Sequence, residues 1–243
     1  MRTARENLRK IAPKSLVLIS SIAVFADSRG RCEGDAPDTD GLPAYGRNRL
    51  QLEQWVREDF IDALIVRLPA LYGAGLKKNF LFDLHTITPA MLKPEKYNEL
   101  AAKSLLVKTG YTLADNGFYK LNGTADKTAL KEFFAGNDFN ALAFTDSRSR
   151  YQFYNLGRLW QDIETARAAG LTMLHLCTPP ISAAEVYTAV TGKADWTNEL
   201  PKSPFDYDLR SRYAAVLGGS GDYLCTKEEE LDDVTHFLRG WRD

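Results

Sequence analysis

Short apolar runs alternate with amphipathic stretches along the first third of the chain. The run SLVLISS at 15–21 has an apolar centre bounded by serines, which predicts a buried strand. A loop rich in Gly, Asp and Pro follows at 26–43, and residues 44–59 predict a helix. The run at 60–73 begins as a second buried strand, which Pro69 ends. This order of strand, loop, helix and strand predicts a parallel α/β unit.

The pattern changes after this unit, and residues 81–145 predict an inserted, mostly helical lobe. Beyond it, residues 155–170 predict a helix with Asn155 as its N-cap, and residues 171–177 predict a third buried strand. Two more helices are expected, the first at 182–192 with a capping box and the second close to the C-terminus.

Three segments of one α/β chain are therefore expected. Residues 1–80 form the first part of a sheet-based domain, residues 81–145 form the inserted lobe, and residues 146–243 return to the sheet and end in helices.

Composition narrows the class of protein. The chain has 243 residues, 44% of them hydrophobic, and a net charge of −1, which allows one sizeable core or a core with a small lobe. The balanced charge predicts neither a nucleic-acid partner nor a membrane partner, and no apolar run approaches the ~18 residues of a membrane span. The basic start at 1–15 fits a helix leading into the first strand better than a transit peptide, because Glu6 is acidic and a strand follows at once.

The cysteines and histidines show no metal-ligand or disulfide spacing, which predicts no metal site and a reduced, cytoplasmic compartment. His175 lies in the third apolar strand and is expected to be a satisfied core residue rather than a catalyst. Cys177, at the end of that strand, is expected to be a buried thiol. Asp162 and Glu164, on the helix before it, are expected to face solvent.

The first candidate catalytic residues are Tyr45 and Arg49, which share a helix face at i and i+4. Ser20 and Ser21 stand at the C-terminal end of the first strand, where open α/β sheets place their ligands. A tyrosine hydroxyl ordinarily titrates near pH 10, and a nearby cation favours its phenolate form. A tyrosine, a cation and a serine together suit proton transfer at a carbinol oxygen during hydride transfer. A solvated helix face and a locally bonded strand end are the plainer alternatives.

Three segments with these residues occur in a familiar order. LISSIAVF resembles a strand ending in S-x-x-V-Y, YGRNRLQLE resembles Y-x-x-x-K, and VRLPALYGAG resembles R-x-x-x-V-Y-G-x-G. Together they resemble the extended short-chain dehydrogenases/reductases, the NAD(P)-dependent epimerase/dehydratase family that acts largely on nucleotide sugars. Residues 149–166 and 171–190 resemble later segments of that family, whereas the lobe at 81–145 matches only in position.

The resemblance implies a partial Rossmann-like parallel sheet with a substrate lobe, NAD or NADP as cofactor and a nucleotide sugar as substrate. It implies Tyr45 as the acid/base, Arg49 as its charge partner and a contact to the nicotinamide ribose, and Ser21 as the group that orients the substrate oxygen. The cofactor-binding residues that it implies are Tyr45, Arg49 and Pro69. A homodimer through helices near 1–12 and 44–58, as in the family, is also implied.

Two further residues are substrate candidates on chemical grounds. Arg148 and Arg150 are expected either to hold a substrate diphosphate, since arginine forks suit phosphate, or to be solvated loop charges.

Departures from the family pattern leave a second reading open. The fingerprint G-x-x-G-x-x-G, which cradles the pyrophosphate, is absent from the sequence, and Arg49 stands where the family has Lys. Phe25 replaces a frequent Tyr, with an effect expected on packing only. The chain resembles a family member lacking its first mononucleotide-binding half, so the strand at 15–20 is expected to have an exposed apolar edge. The alternative function is a non-catalytic remnant or partner subunit that binds a nucleotide sugar or another chain without cofactor.

Overall fold

The computed structural model describes residues 2–241. The α-helices are α1 (Arg2–Ile11), α2 (Ala44–Asp59), α3 (Asn79–Thr86), α4 (Pro94–Ala101), α5 (Leu105–Gly110), α6 (Lys127–Ala135), α7 (Leu159–Ala168), α8 (Ala183–Thr191) and α9 (Lys227–Gly240). The strands are β1 (Val17–Ser21), β2 (Leu64–Leu68), β3 (Ala70–Tyr72), β4 (Met91–Leu92), β5 (Tyr111–Leu113), β6 (Tyr119–Leu121), β7 (Arg150–Tyr151), β8 (Phe153–Asn155), β9 (Met173–His175) and β10 (Ile181–Ser182). The predicted α/β class is confirmed.

A parallel sheet in the order β1-β2-β9 carries the first part of the fold. Its register places Ser21 opposite Leu68 and Arg67 opposite His175. Every residue of the central strand β2 is buried, as expected for a parallel strand covered on both faces. The three apolar runs therefore form one sheet, in which β1 is an edge strand.

Pro69 separates β2 from β3, as the sequence predicts for the end of that strand. After this break the chain leaves the first sheet, and β3 pairs in parallel with β8 in a separate two-stranded sheet. The reason is that proline has no N–H with which to continue a ladder.

Two compact units divide the chain. The first contains the described residues up to 76 together with 148–195 and 204–241, and the second contains 77–147 and 196–203. The core of the first unit lies around β2 and β9, with Val66, Leu174 and Leu176 fully buried.

The second unit has an apolar core of its own, which includes Leu100, Leu130 and Phe134. Besides helices α3 to α6, it contains an antiparallel sheet in the order β4-β6-β5. The hairpin between β5 and β6 turns at Gly117, whose φ of 80° is a left-handed conformation that glycine adopts without strain. The segment between the predicted helices of the lobe is thus a small sheet.

Helix ends follow their sequence signatures. Ser182 and Glu185 form the predicted capping box of α8, and Thr226 and Glu229 form one at the start of α9. Asn155 caps a short 3₁₀ helix, Leu156–Arg158, which continues into α7.

One expectation on α7 is wrong. Asp162 is buried and accepts a hydrogen bond of 2.6 Å from the hydroxyl of Tyr154, whereas Glu164 is exposed. A helical period alone did not reveal that a buried tyrosine hydroxyl needed an acceptor at this position.

Within residues 2–241, no helix is both long enough and apolar enough to span a membrane.

Candidate active site

Ser21 ends β1 at the C-terminal edge of the parallel sheet. It also caps the short 3₁₀ helix Ile22–Val24, because its hydroxyl oxygen accepts a hydrogen bond from the Ala23 N–H at 3.2 Å. A serine hydroxyl has one donor and two acceptor sites, so this cap leaves the Ser21 proton available to a substrate oxygen. The cap holds the side chain in place without using its donor.

Helix α2 approaches this turn very closely at Gly46. A Cβ atom built on Gly46 would lie 2.2 Å from the Ala23 carbonyl oxygen, which no side chain could tolerate without backbone movement. Glycine therefore lets the first turn of α2 lie against the turn that Ser21 caps. Tyr45 is the residue next to this contact, so Ser21 and Tyr45 belong to two segments in direct backbone contact. Sequence reasoning did not single out Gly46.

Tyr45 and Arg49 form a pair on the face of α2. The Arg49 Nε donates to the Tyr45 hydroxyl at 3.3 Å, and the guanidinium carbon lies 5.4 Å from the centre of the Tyr45 ring. Tyr45 is 54% exposed, so its hydroxyl is open to a ligand.

Arg49 also reaches the open edge of β1, where its Nη1 donates to the Ile19 carbonyl at 3.4 Å. Leu16 offers its carbonyl to Leu64 N in β2, so the alternate residues Val17 and Ile19 point their backbone groups to the other side. Across residues 2–241, no strand pairs with that side. The predicted open edge is therefore present, and Ile19 is 38% exposed on it.

A buried charge network lies behind the exposed pair. Glu53 lies on the same face of α2, about two turns after Tyr45 and one turn after Arg49. It accepts hydrogen bonds of 2.6–3.2 Å from the Arg67 guanidinium in β2. The Ser20 hydroxyl donates to Glu53 at 2.5 Å. All three side chains are at least 95% buried, and together they tie α2 to β1 through Ser20 and to β2 through Arg67.

His175 extends this network as the satisfied core residue that the sequence predicts. Since arginine has only donors, Arg67 Nη1 donates to Nε2 of His175 at 3.1 Å, which leaves the ring proton on Nδ1 to be donated to the Arg210 carbonyl at 3.0 Å. Burial lowers the pKa of His175 to about 4, helped by the Arg67 charge and opposed by Glu33. His175 is thus neutral at neutral pH. Cys177 is fully buried, and burial raises the pKa of its thiol well above its usual value.

The other sequence candidates lie in different places. Pro69 follows β2 directly, so it lies at the same edge of the sheet as Ser21, and it is buried. Arg150 belongs to β7, outside the β1-β2-β9 sheet, and pairs with Asp206 at 3.1 Å. Arg148 is exposed two residues earlier. Ser21 and Pro69 thus stand at the ends of adjacent parallel strands, Tyr45 and Arg49 form a pair on α2, and Arg150 lies on another element.

No model of a protein family matches this sequence, and no curated protein matches it. Several solved structures are similar to this chain. The dTDP-glucose 4,6-dehydratase of Bacillus anthracis, in complex with NAD, is similar over 98% of this chain and 65% of its own, at 14% identity and a TM-score of 0.54. The dTDP-4-dehydrorhamnose reductase of Yersinia enterocolitica is similar over 97% and 69%, at 16% identity and a TM-score of 0.54. The UDP-glucuronic acid 4-epimerase of Bacillus cereus, in complex with UDP-glucuronic acid and NAD, is similar over 97% and 64%, at 13% identity and a TM-score of 0.52.

This chain has the fold of these enzymes. The resemblance inferred from three short motifs is thereby confirmed at the level of fold, as is the Rossmann-like character of the sheet. The chain spans 64% to 69% of the length of these three structures. Activity and ligands do not follow from likeness at these identities.

Proposed function

We propose that this chain is an NAD(P)-dependent oxidoreductase of the epimerase, dehydratase or reductase type, acting on a nucleotide sugar. The observation that carries the proposal is the Tyr45 hydroxyl, which is exposed, bonded by Arg49 at 3.3 Å and adjacent to the backbone contact with the Ser21 turn. The solved structures of the same fold include enzymes that act on nucleotide sugars and were crystallised with NAD.

In this function each residue handles one part of the proton transfer. Tyr45 takes the proton from a sugar hydroxyl or returns it to a carbonyl oxygen. Arg49 stabilises the phenolate that forms when the proton leaves Tyr45. Ser21 donates its hydroxyl proton to the same substrate oxygen, since its bond from the Ala23 N–H uses an acceptor site and leaves the proton available. Arg148 and Arg150 are proposed to bind the substrate diphosphate, for which Arg150 would have to leave Asp206.

The residues present fit one end of a nicotinamide dinucleotide. Tyr45 and Arg49 offer a hydroxyl and guanidinium donors on α2, whose first turn contacts the turn that Ser21 caps, which suits the ribose next to the nicotinamide. When bound, the nicotinamide ring accepts or supplies the hydride. The glycine-rich cradle for the pyrophosphate is absent from the sequence, so this chain's own contacts are proposed for the ribose end alone.

One observation favours a second candidate function. The β1 edge exposes Ile19 and the backbone groups of alternate residues, which suits pairing with a strand from another polypeptide segment. In that case the chain is a partner subunit, and the Arg49 bond to the Ile19 carbonyl gives way to strand pairing. The two candidates differ in whether the chain binds cofactor by itself.

A fluorescence titration of the purified chain with NADH and with NADPH separates them. The oxidoreductase proposal expects saturable binding, weakened at least tenfold in Arg49→Ala because the ribose contact is lost. Arg57→Ala is the matched control, since Arg57 is an exposed arginine two turns further along α2, and it should bind like wild type. Absence of binding by a chain with native circular dichroism would overturn the autonomous enzyme and favour the partner subunit.

Turnover tests the role of Tyr45. With NAD or NADP and UDP- or dTDP-glucose, Tyr45→Phe should lower kcat at least a hundredfold, because general acid–base catalysis contributes about 10²–10⁴-fold. Cofactor affinity should fall less than it does in Arg49→Ala, because one neutral hydroxyl is lost rather than a charge. Unchanged turnover in Tyr45→Phe would show that another group moves the proton.

A further inference from the structure

A concave site lies in the first unit, and none of Ser21, Tyr45, Arg49 and Pro69 belongs to its lining. It is a cavity of about 410 Å³ bounded by β3, β8 and α9, called here the C-terminal cavity, and its lining includes Tyr72, Phe153, Asn155, Leu224, Glu230 and Asp233. None of these residues takes part in the proposed proton transfer. The volume lies within the usual range for small-molecule sites.

Glu230 is the unusual group of this cavity. Its side chain is only 3% exposed, and its Oε1 accepts hydrogen bonds from Phe153 N at 2.8 Å and the Thr178 hydroxyl at 2.9 Å. Its Oε2 is buried and has no hydrogen-bond partner among the described residues. A buried carboxylate oxygen without a partner is costly, so this atom is the one with which Glu230 can meet a ligand.

Asp233 supplies a second carboxylate one turn further along α9. Its Oδ2 accepts hydrogen bonds from the Tyr72 hydroxyl at 2.5 Å and from the Asn155 amide at 3.0 Å. These two bonds fix its position, while Oδ1 keeps its acceptor capacity. Glu230 and Asp233 at i and i+3 therefore present two acceptors on one helix face.

The remaining lining defines the chemistry of a ligand. Leu217, Leu224 and Phe153 provide apolar walls. Glu229 adds a third carboxylate. Arg158, the one cation that the described residues contribute to the lining, has Asp162 as its partner at 3.6 Å. The excess of negative charge disfavours an anion, and no group of three His, Cys, Asp or Glu that could hold a metal ion occurs within residues 2–241.

We propose that the C-terminal cavity binds a small organic ammonium compound with an apolar body, whose charge is met by Glu230 Oε2 and Asp233. The ammonium group supplies the donor that Glu230 lacks, and the apolar walls bury the rest of the compound. This site is independent of the proposed oxidoreductase function.

Binding of a cation should change the protonation of Glu230. Burial raises the pKa of Glu230 to about 8, against the effect of its bonds to Phe153 and Thr178, so the carboxyl is largely protonated at pH 7 without ligand. An ammonium ion favours the carboxylate, so binding releases close to one proton per site at pH 7. The titratable and charged groups around Glu230 are Tyr72, Tyr154, Arg158, Cys225, Lys227, Glu229 and Asp233.

Isothermal titration calorimetry with 2-phenylethylammonium chloride tests the proposal. Titrations at pH 7 in two buffers of different ionisation enthalpy should show one saturable site and the release of a proton. Glu230→Gln keeps an oxygen for Phe153 and Thr178 but removes the charge, so affinity should fall at least tenfold and proton release should vanish. Glu228→Gln, an exposed glutamate on the same turn of α9, should bind like wild type.

A second ligand and a second variant complete the test. 2-Phenylethanol has the same apolar body without the charge and should bind at least tenfold more weakly. Asp233→Asn, at an exposed position, should weaken the ammonium compound about threefold or more even if Glu230→Gln fails to fold. Equal binding of the alcohol, retained binding in both variants, or absence of saturable binding to the folded wild-type chain would each overturn the proposal.

Discussion

The two halves of one helix face differ sharply in what surrounds them. Tyr45, Arg49 and Glu53 follow one another at i, i+4 and i+8 on α2, so they share a face. Tyr45 is 54% exposed and its bond to Arg49 is 3.3 Å long. Glu53 is 2% exposed and meets Arg67 through bonds as short as 2.6 Å.

This difference in burial indicates which part of the face holds α2 in place and which part can take part in a reaction. A buried ion pair stays closed because neither charge can be left without its partner. An exposed pair is held weakly and can exchange its partner for a ligand at little cost. Glu53, the inner half of the face, thus anchors α2 to β1 and β2. Tyr45 and Arg49, the outer half, are available to act on a substrate.

The largest expected effect is at the inner half. Glu53→Gln leaves the buried Arg67 charge without its counter-ion, which should lower the free energy of unfolding by about 3–5 kcal/mol. Urea unfolding followed by circular dichroism measures the change. Arg49→Lys, at the outer half of the same face, is the matched control and should unfold like wild type within experimental error.

A cost for Glu53→Gln no larger than that of the control would contradict the anchoring role. The double variant Glu53→Leu with Arg67→Met sharpens the result, because it removes both charges and should recover a large part of the lost stability.

The next effect is a pH dependence from His175. Its pKa in the folded chain is about 4, below the ordinary value of 6.5, so the unfolded state binds more protons between these two values. The contribution of neutral His175 to stability is therefore complete above pH 6.5 and is lost as the pH falls towards 4. The loss at pH 5 should be on the order of 2 kcal/mol.

Urea unfolding at several pH values, in wild type and His175→Gln, tests this dependence. Glutamine can accept from Arg67 and donate to the Arg210 carbonyl without titrating, so the variant should have a flatter profile between pH 6.5 and 4. An identical profile in both proteins would assign the acid sensitivity to other groups.

The smallest of the three effects is expected at Gly46, where the first turn of α2 contacts Ala23 in the turn that Ser21 caps. Gly46→Ala would place a methyl group against the Ala23 carbonyl, and the forced shift should lower stability by about 1–2 kcal/mol after the better helix propensity of alanine. The same shift moves Tyr45 relative to Ser21. The fall in kcat, expressed as a free energy of activation, should therefore exceed the fall in the free energy of unfolding. Thermal unfolding together with kcat measures both, and wild-type values for both would show that the close approach has no role.

Much of the local structure could be predicted from the sequence. Apolar runs of a few residues indicated β1, β2 and β9, and the capping box of Ser182 and Glu185 indicated α8. The spacing of Tyr45 and Arg49 sufficed to place them on one face, because residues four apart on a helix are neighbours whatever surrounds it. The position of Pro69 sufficed for the end of β2.

The rest depended on contacts between residues far apart in the chain. Glu53 meets Arg67 across 14 positions, and Arg67 meets His175 across 108. The burial of Asp162, the close approach of Gly46 to Ala23 and the partners of Glu230 likewise follow from how elements pack, which no local period encodes. The sequence by itself determined which segments become strands and helices and which side chains share a helix face, because these depend on near neighbours. Only the tertiary structure decided which charges are buried and which oxygen lacks a partner, because burial and pairing are properties of the packed chain.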